Sequence, residues 1–170
     1  DLYGRIRSGL GFEKTPAEYG AFPTDPYSHT PRHGGAKQPG MTGQVKEEIL
    51  TRLGELGVHV EDGEVSFRPV LLKSEEFLEE GAVFSYFDVD GEAASLELDA
   101  GSLAFTFCQV PVVYTHAGNG GQVRVTMSGG RETILEGDGL GRELSSELFG
   151  RTGRISRIVV CVPESALRSP

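Results

Sequence analysis

Residues 24–50 read TDPYSHTPRHGGAKQPGMTGQVKEEIL and contain many side chains that can bind a ligand or move a proton. The candidate substrate-binding residues of this loop, which starts just upstream, are phenols, imidazoles, a carboxylate, an amide and a Thr-Gly pair: Tyr19, Asp25, Tyr27, His29, His33, Gln38, Thr42 and Gly43. Two or three such polar groups can hold a sugar by hydrogen bonds while aromatic rings cover its apolar face. Alternatively, the prolines and glycines shape a structural arm whose polar groups bind its own backbone. The residues leave both interpretations open.

His29 and His33 are four residues apart, a spacing that places two imidazoles on one face of a helix, as metal ligands require. The prolines and glycines around them exclude a helix through this segment. A loop with Asp25 as a third ligand is the remaining arrangement, and nothing else in the sequence supports it. We therefore assign no metal and no other cofactor. We also assign no catalytic residue, because no nucleophile and base occur in a recognisable pattern.

The composition excludes several classes of protein. The 170 residues carry a formal net charge of −9, which repels a phosphate backbone and argues against nucleic-acid binding. No apolar run approaches the roughly 20 residues that span a bilayer, and no signal peptide is visible. Cys108 and Cys161 lie in apolar, strand-like runs that favour buried thiols over a disulfide. These features predict a soluble, cytoplasmic protein that binds neither nucleic acid nor membrane.

Residues 1–54 combine helical patterns with a long loop. Apolar residues recur at helical spacing in DLYGRIRSGLGF, and a loop of about thirty residues follows, from about Thr15 to Gly43. Loops of this length are uncommon in compact domains and are usually functional or docked on a larger surface. GQVKEEILTRLGELG then predicts a helix with Thr42 as N-cap and an end at Gly54 or Gly57. Its apolar stripe comprises Val45, Ile49, Leu50, Leu53 and Leu56.

From Val58 onward the apolar residues alternate with polar ones, which is typical of β-strands. Asp62-Gly63 and Asp90-Gly91 each stand between such runs and predict hairpin turns. At least seven short strands follow, with one helical insert at GRELSSELFG. The fold class is therefore mainly β: an antiparallel β-sandwich, jelly-roll-like, over residues 55–170, preceded by a helix–long loop–helix segment over residues 1–54.

MTGQVKEEILTRLGELGVHVEDGEVSFRPVLL contains a Thr-Gly turn, an amphipathic helix, an LG pair, a DG hairpin and a strand ending in proline. This order resembles the end of an (α/α)6-barrel catalytic domain as it passes into a C-terminal β-sandwich. It is similar to the six-hairpin glycosidases and the inverting disaccharide phosphorylases, and the resemblance covers roughly residues 1–72. Because the chain starts with Asp1 rather than Met, we expect a processed chain or a segment of a longer one.

The resemblance implies a carbohydrate substrate class and a role for the loop. In phosphorylases of this clan a Thr-Gly turn before the last barrel helix helps to hold phosphate, and Thr42 and Gly43 match it. It also implies that the general acid lies on a barrel segment outside these residues. We therefore expect this chain to be inactive alone, with the catalytic barrel of its own polypeptide as its partner and a carbohydrate as its ligand.

Two further interpretations belong to other classes of protein. The β-rich part can be an independent module that binds a glycan or a protein through exposed aromatic residues, with Tyr86, Phe87 and Tyr114 as candidates. It can also be a structural or dimerisation domain that separates two other domains.

Overall fold

The computed structural model describes residues 2, 3, 5, 42–116 and 121–168, and for residues 42–48 it describes the backbone alone. The chain divides into two compact units, Asp1–Thr51 and Arg52–Pro170. In the first unit Leu2, Tyr3 and Arg5 are helical. The long predicted loop, up to residue 41, lies outside the described residues.

Helix α1 spans Thr42–Glu55 and ends where the sequence predicts. Thr42 is its first helical residue rather than the N-cap, a difference of one position at the helix start. Beyond the helix, Gly57 adopts a left-handed φ of 72°. A Cβ atom at Gly57 would lie 2.1 Å from the carbonyl carbon of Arg68, so only glycine fits this crossing of two backbones. The Arg68 amide donates a hydrogen bond of 2.7 Å to the Gly57 carbonyl oxygen there.

The apolar stripe of α1 is only partly buried. Leu56, directly after the helix, is 4% exposed, and Leu53 is half-buried. Ile49 and Leu50 are 57% and 68% exposed. The predicted stripe therefore contributes to the described core through its C-terminal end.

The described residues contain nine strands and one further α-helix. They are β1 (Val58–Glu61), β2 (Glu64–Phe67), β3 (Ala82–Phe87), β4 (Ala93–Leu98), β5 (Ser102–Phe107), β6 (Val110–His116), β7 (Gln122–Met127), β8 (Glu132–Glu136), α2 (Gly141–Phe149) and β9 (Ile155–Val162). Strands β1 and β2 form one hairpin, β3 and β4 form another, and the other five form a sheet in the order β5-β6-β9-β7-β8. The pair β6 and β9 is parallel, whereas all other neighbours are antiparallel. The mainly β, largely antiparallel fold is confirmed, and the sandwich stays a prediction.

Both predicted hairpin turns are present. Asp62 and Gly63 have φ angles of 49° and 78°, as a type I′ turn between β1 and β2 requires. The longer turn between β3 and β4 contains Gly91 and is organised by Asp88, whose carboxylate accepts hydrogen bonds from the amides of Asp90 and Glu92. The first acidic residue of DVDGE is therefore a turn former.

The alternating residues of β7 and β9 form the centre of the core. Val123 and Val125 are fully buried, as is Ile158 in β9. Helix α2 packs Leu148 against this core, and the Oγ atom of its Ser145 accepts a hydrogen bond of 2.9 Å from the amide of Val65. This burial follows the alternation of apolar and polar residues in QVRVTM and RISRIVVCV.

Candidate functional site

The loop residues singled out by the sequence lie mainly outside the part of the chain that the structure describes. This holds for the candidate substrate-binding residues up to residue 41, namely Tyr19, Asp25, Tyr27, His29, His33 and Gln38. Thr42 and Gly43 are the first two residues of α1. Their placement at a helix N-terminus puts backbone amides, which can bind an anion, at the Thr-Gly position.

One cavity in the second unit lies beside the edge strand β5. It has a volume of about 380 Å³ and is called the β5 cleft below. Its lining is mostly apolar and comes from β5, the β3–β4 hairpin and the segments after α1 and before β3: Leu56, Leu78, residues 82–84, Leu98 and residues 103–105, with Arg52 and Glu76. Such a lining accepts apolar side chains or rings rather than strongly polar ligands.

An ion network lies at one side of the β5 cleft. Arg52 Nη1 lies 3.1 Å from a carboxylate oxygen of Glu55 and 2.7 Å from one of Glu76. The other Glu76 oxygen accepts a hydrogen bond of 3.0 Å from the Lys73 amide. Two carboxylates flank the Arg52 guanidinium, and their negative charge disfavours an anion at this side of the cleft.

Among the residues that the structure describes, one edge of β5 has no paired strand along part of its length. The turn at Cys108 and Gln109 has two residues with positive φ, so Phe107 and Val110 form the closing hydrogen-bonded pair of the β5–β6 hairpin. Alternation then directs the backbone groups of Ala104 and Thr106 away from β6. In the part of the chain that the structure describes, β5 is the edge strand of the sheet on that side.

Two smaller cavities lie elsewhere in the second unit. One of about 220 Å³ lies between the end of β2 and β9, beside an ion pair of 2.6 Å between Arg68 Nε and Asp138. The other, of about 190 Å³, lies at the β3–β4 turn, where Gln109 donates a hydrogen bond of 2.7 Å to the Asp88 carbonyl oxygen. In both cavities, polar groups of the lining bind one another.

The three aromatic residues proposed for a ligand-binding face occupy different environments. Tyr114 is fully buried, and its hydroxyl donates to the Leu56 carbonyl oxygen, so its assignment to an exposed binding face is wrong. Tyr86 is half-buried and stacks on Phe84, with ring centroids 5.6 Å apart. Phe87 is 67% exposed on the opposite face of β3. Tyr86 and Phe87 therefore do not form one binding face.

The thiols and imidazoles of the described residues do not converge. Cys108 and Cys161 are free and half-buried, and burial raises the pKa of Cys108, against a lowering influence from Arg151. His59 and His116 are exposed, and His116 packs on Phe77 with ring centroids 4.2 Å apart. Among the side chains that the structure describes, no three of the types His, Cys, Asp or Glu are grouped to hold a metal ion.

Comparisons with known proteins do not identify a family. No family model matches the chain, and no curated protein is significantly similar to it. In the described part of the chain, no helix is both long and apolar enough to cross a bilayer.

Proposed function

We propose that this chain is the non-catalytic, C-terminal β-sandwich part, jelly-roll-like, of a larger carbohydrate-active enzyme, either a glycoside hydrolase or a phosphorylase. The helix–loop–helix segment before it contributes a substrate-facing loop that includes Asp25 and His29. The order of motifs over residues 1–72, which resembles a barrel–sandwich junction, suggests the substrate class.

The observation that favours this function is the contrast between the two ends of α1. At the C-terminal end, Leu56 is buried and Gly57 contacts the Arg68 backbone, so the helix end is part of the β-rich unit. Further up the helix, Ile49 and Leu50 remain more than half exposed. Adjacent exposed apolar residues on a helix are typical of a surface that packs on another element. The last helix of a barrel has this arrangement, since its neighbours belong to the catalytic domain.

The experiment is an assay of the native polypeptide for release of sugar from disaccharides, with and without inorganic phosphate. Asp25→Ala and His29→Ala each remove a group that hydrogen-bonds the substrate in this proposal. Loss of one charge-assisted hydrogen bond lowers kcat/KM by about 10- to 100-fold. Asp90→Ala and His59→Ala are the matched controls, because both residues are exposed in the β-rich unit. Unchanged kcat/KM in both loop variants would show that the loop does not contribute to the substrate site.

An independent binding module is the second candidate, and one observation favours it. Residues Arg52–Pro170 form a compact unit of their own, with Phe87 exposed on the β3–β4 hairpin. This function predicts that mono- and disaccharides shift the amide resonances near Phe87 in the 170-residue chain. If millimolar sugar shifts none of these resonances, the result favours the first proposal, that the chain is part of a larger enzyme. Light scattering over a concentration series tests a dimerisation domain, because a strict monomer contradicts it.

A further inference from the structure

We propose that the open edge of β5 and the β5 cleft bind an extended, basic segment of a partner protein, which adds a strand beside β5. This inference is independent of the proposed enzyme function, because all the residues involved belong to the β-rich unit. The three observations behind it are the free backbone groups of β5, the apolar cleft beside them and the acidic residues around the cleft.

At the beginning of β5, the outer edge already forms backbone hydrogen bonds with another segment of the chain. The Leu78 amide donates a hydrogen bond of 2.8 Å to the Ser102 carbonyl oxygen, and the Gly101 amide donates one of 2.7 Å to the Leu78 carbonyl oxygen. A single residue of the preceding segment thus pairs with the start of the strand. Within the described residues, the amides of Ala104 and Thr106 have no hydrogen-bond partner on this edge. Unpaired strand edges of this kind are templates for an added strand.

The β5 cleft supplies the second requirement, a place for the side chains of an added strand. Alternate residues of an extended peptide point to the same side, about 7 Å apart. The cleft borders β5 through residues 103–105 and presents the half-buried rings of Phe84 and Phe105. A volume of about 380 Å³ accommodates two aliphatic side chains. The bound segment therefore has apolar residues at every second position.

The charges around the cleft select a basic segment. Four exposed acidic residues lie within two positions of a lining residue in the chain: Glu79, Glu80, Glu97 and Asp99. Among the described residues, none of these carboxylates forms a hydrogen bond or ion pair. These carboxylates attract a strand that carries lysine or arginine at its outward positions, which favours its binding. A second copy of this chain is disfavoured, because its net charge is −9 and it would bring the same acidic residues to the contact.

The test uses the 170-residue chain and a labelled peptide of about seven residues with alternating valine and lysine, the length of an ordinary strand. The matched control peptide alternates valine and glutamate. Fluorescence anisotropy should show saturable binding of the basic peptide at low ionic strength and at least about tenfold weaker binding of the acidic one. Hydrogen exchange at the Ala104 and Thr106 amides should slow when the basic peptide is present. Equal binding of both peptides, or binding that leaves these two amides unprotected, would overturn the proposal.

Two pairs of variants locate the contact. Thr106→Pro removes a free-edge donor without breaking the β5–β6 ladder and should weaken peptide binding about five- to tenfold. Ile134→Pro changes an exposed position of the other edge strand, β8. This control variant should change the affinity for the peptide by no more than about twofold. The charge variant Glu79→Lys with Glu80→Lys should weaken binding about tenfold at low salt, whereas Glu132→Lys with Glu136→Lys on β8 should not.

The identity of the occupant is tested by sedimentation of the chain alone. A monomer is expected for both the wild-type chain and Thr106→Pro. A wild-type dimer that Thr106→Pro converts to a monomer would contradict the peptide proposal and assign the edge to a second copy.

Discussion

The phenolic hydroxyl of Tyr114 donates a hydrogen bond to the carbonyl oxygen of Leu56 across 2.5 Å. Tyr114 belongs to β6, between β5 and β9 in the five-stranded sheet, and Leu56 is the residue directly after α1. The bond supplies a partner for a carbonyl group that the end of a helix leaves free. It therefore ties the end of α1 to the sheet, and burial raises the pKa of Tyr114 well above its usual range.

Tyr114→Phe should destabilise the chain by about 1–2 kcal/mol at neutral pH, because the Leu56 carbonyl loses its buried partner. The measurement is urea denaturation followed by circular dichroism. Tyr86→Phe is the control, since Tyr86 is half-buried and stacks on Phe84 through its ring, which phenylalanine retains. Equal stability of the two variants would contradict the role of the hydroxyl.

The same substitution should change the pH dependence of stability. The pKa of Tyr114 is raised in the folded chain, so the folded state holds the proton more tightly than the unfolded state. Its contribution is complete below the unfolded pKa of about 10 and decreases as the pH rises above that value. The difference in unfolding free energy between wild type and Tyr114→Phe should therefore shrink between about pH 10 and 11. A constant difference would show that the tyrosine is not shielded from solvent.

Gly57→Ala should prevent folding or destabilise the chain by roughly 3 kcal/mol or more, because the new Cβ atom meets the Arg68 backbone. Gly91→Ala is the matched control. Gly91 has a similar left-handed φ of 81°, but nothing lies within 4 Å of a Cβ atom there. Gly91→Ala should lower the free energy of unfolding by about 1 kcal/mol, because only the left-handed conformation is then unfavourable. Thermal unfolding of both proteins separates the two effects, and equal losses would exclude the close backbone approach.

Ile49→Asn combined with Leu50→Asn should leave the stability of the 170-residue chain within about 0.5 kcal/mol, because both side chains are largely exposed. In the larger enzyme of the proposed function, the same variant should lower stability or activity, since the two residues then face the barrel. Leu56→Asn, which places an amide in the core, serves as the positive control and should destabilise the 170-residue chain strongly. An Ile49/Leu50 variant that behaves alike in the short and long proteins would argue against a barrel partner.

Local patterns predicted the local elements well. The alternation in β7 and β9 identified their buried faces, and the Asp-Gly pairs marked two turns, because period and turn chemistry are properties of neighbouring residues. The turn at Cys108 and Gln109 was not predicted, since neither residue is a glycine although both have positive φ. The available signal for this turn was that only two residues separate the apolar runs of β5 and β6.

Non-local arrangement was not accessible from the sequence. Strand β9 lies between β6 and β7 and parallel to β6, and no local pattern encodes this insertion. Its consequence is that residues 110–114 of β6 are all buried, which explains why Tyr114 is in the core. The unbroken apolar run VPVVY was the signal for a strand covered on both faces. The edge position of β5 among the described strands follows from the same strand order and was likewise not predicted.

The measurement that tests the proposed function most directly is made on the native polypeptide, isolated from its source cells with an antibody against this chain. Its mass is determined, and it is assayed on disaccharides with and without phosphate. The account predicts a polypeptide several times larger than 18.3 kDa that releases sugar. A polypeptide of about 18.3 kDa without such activity would contradict it.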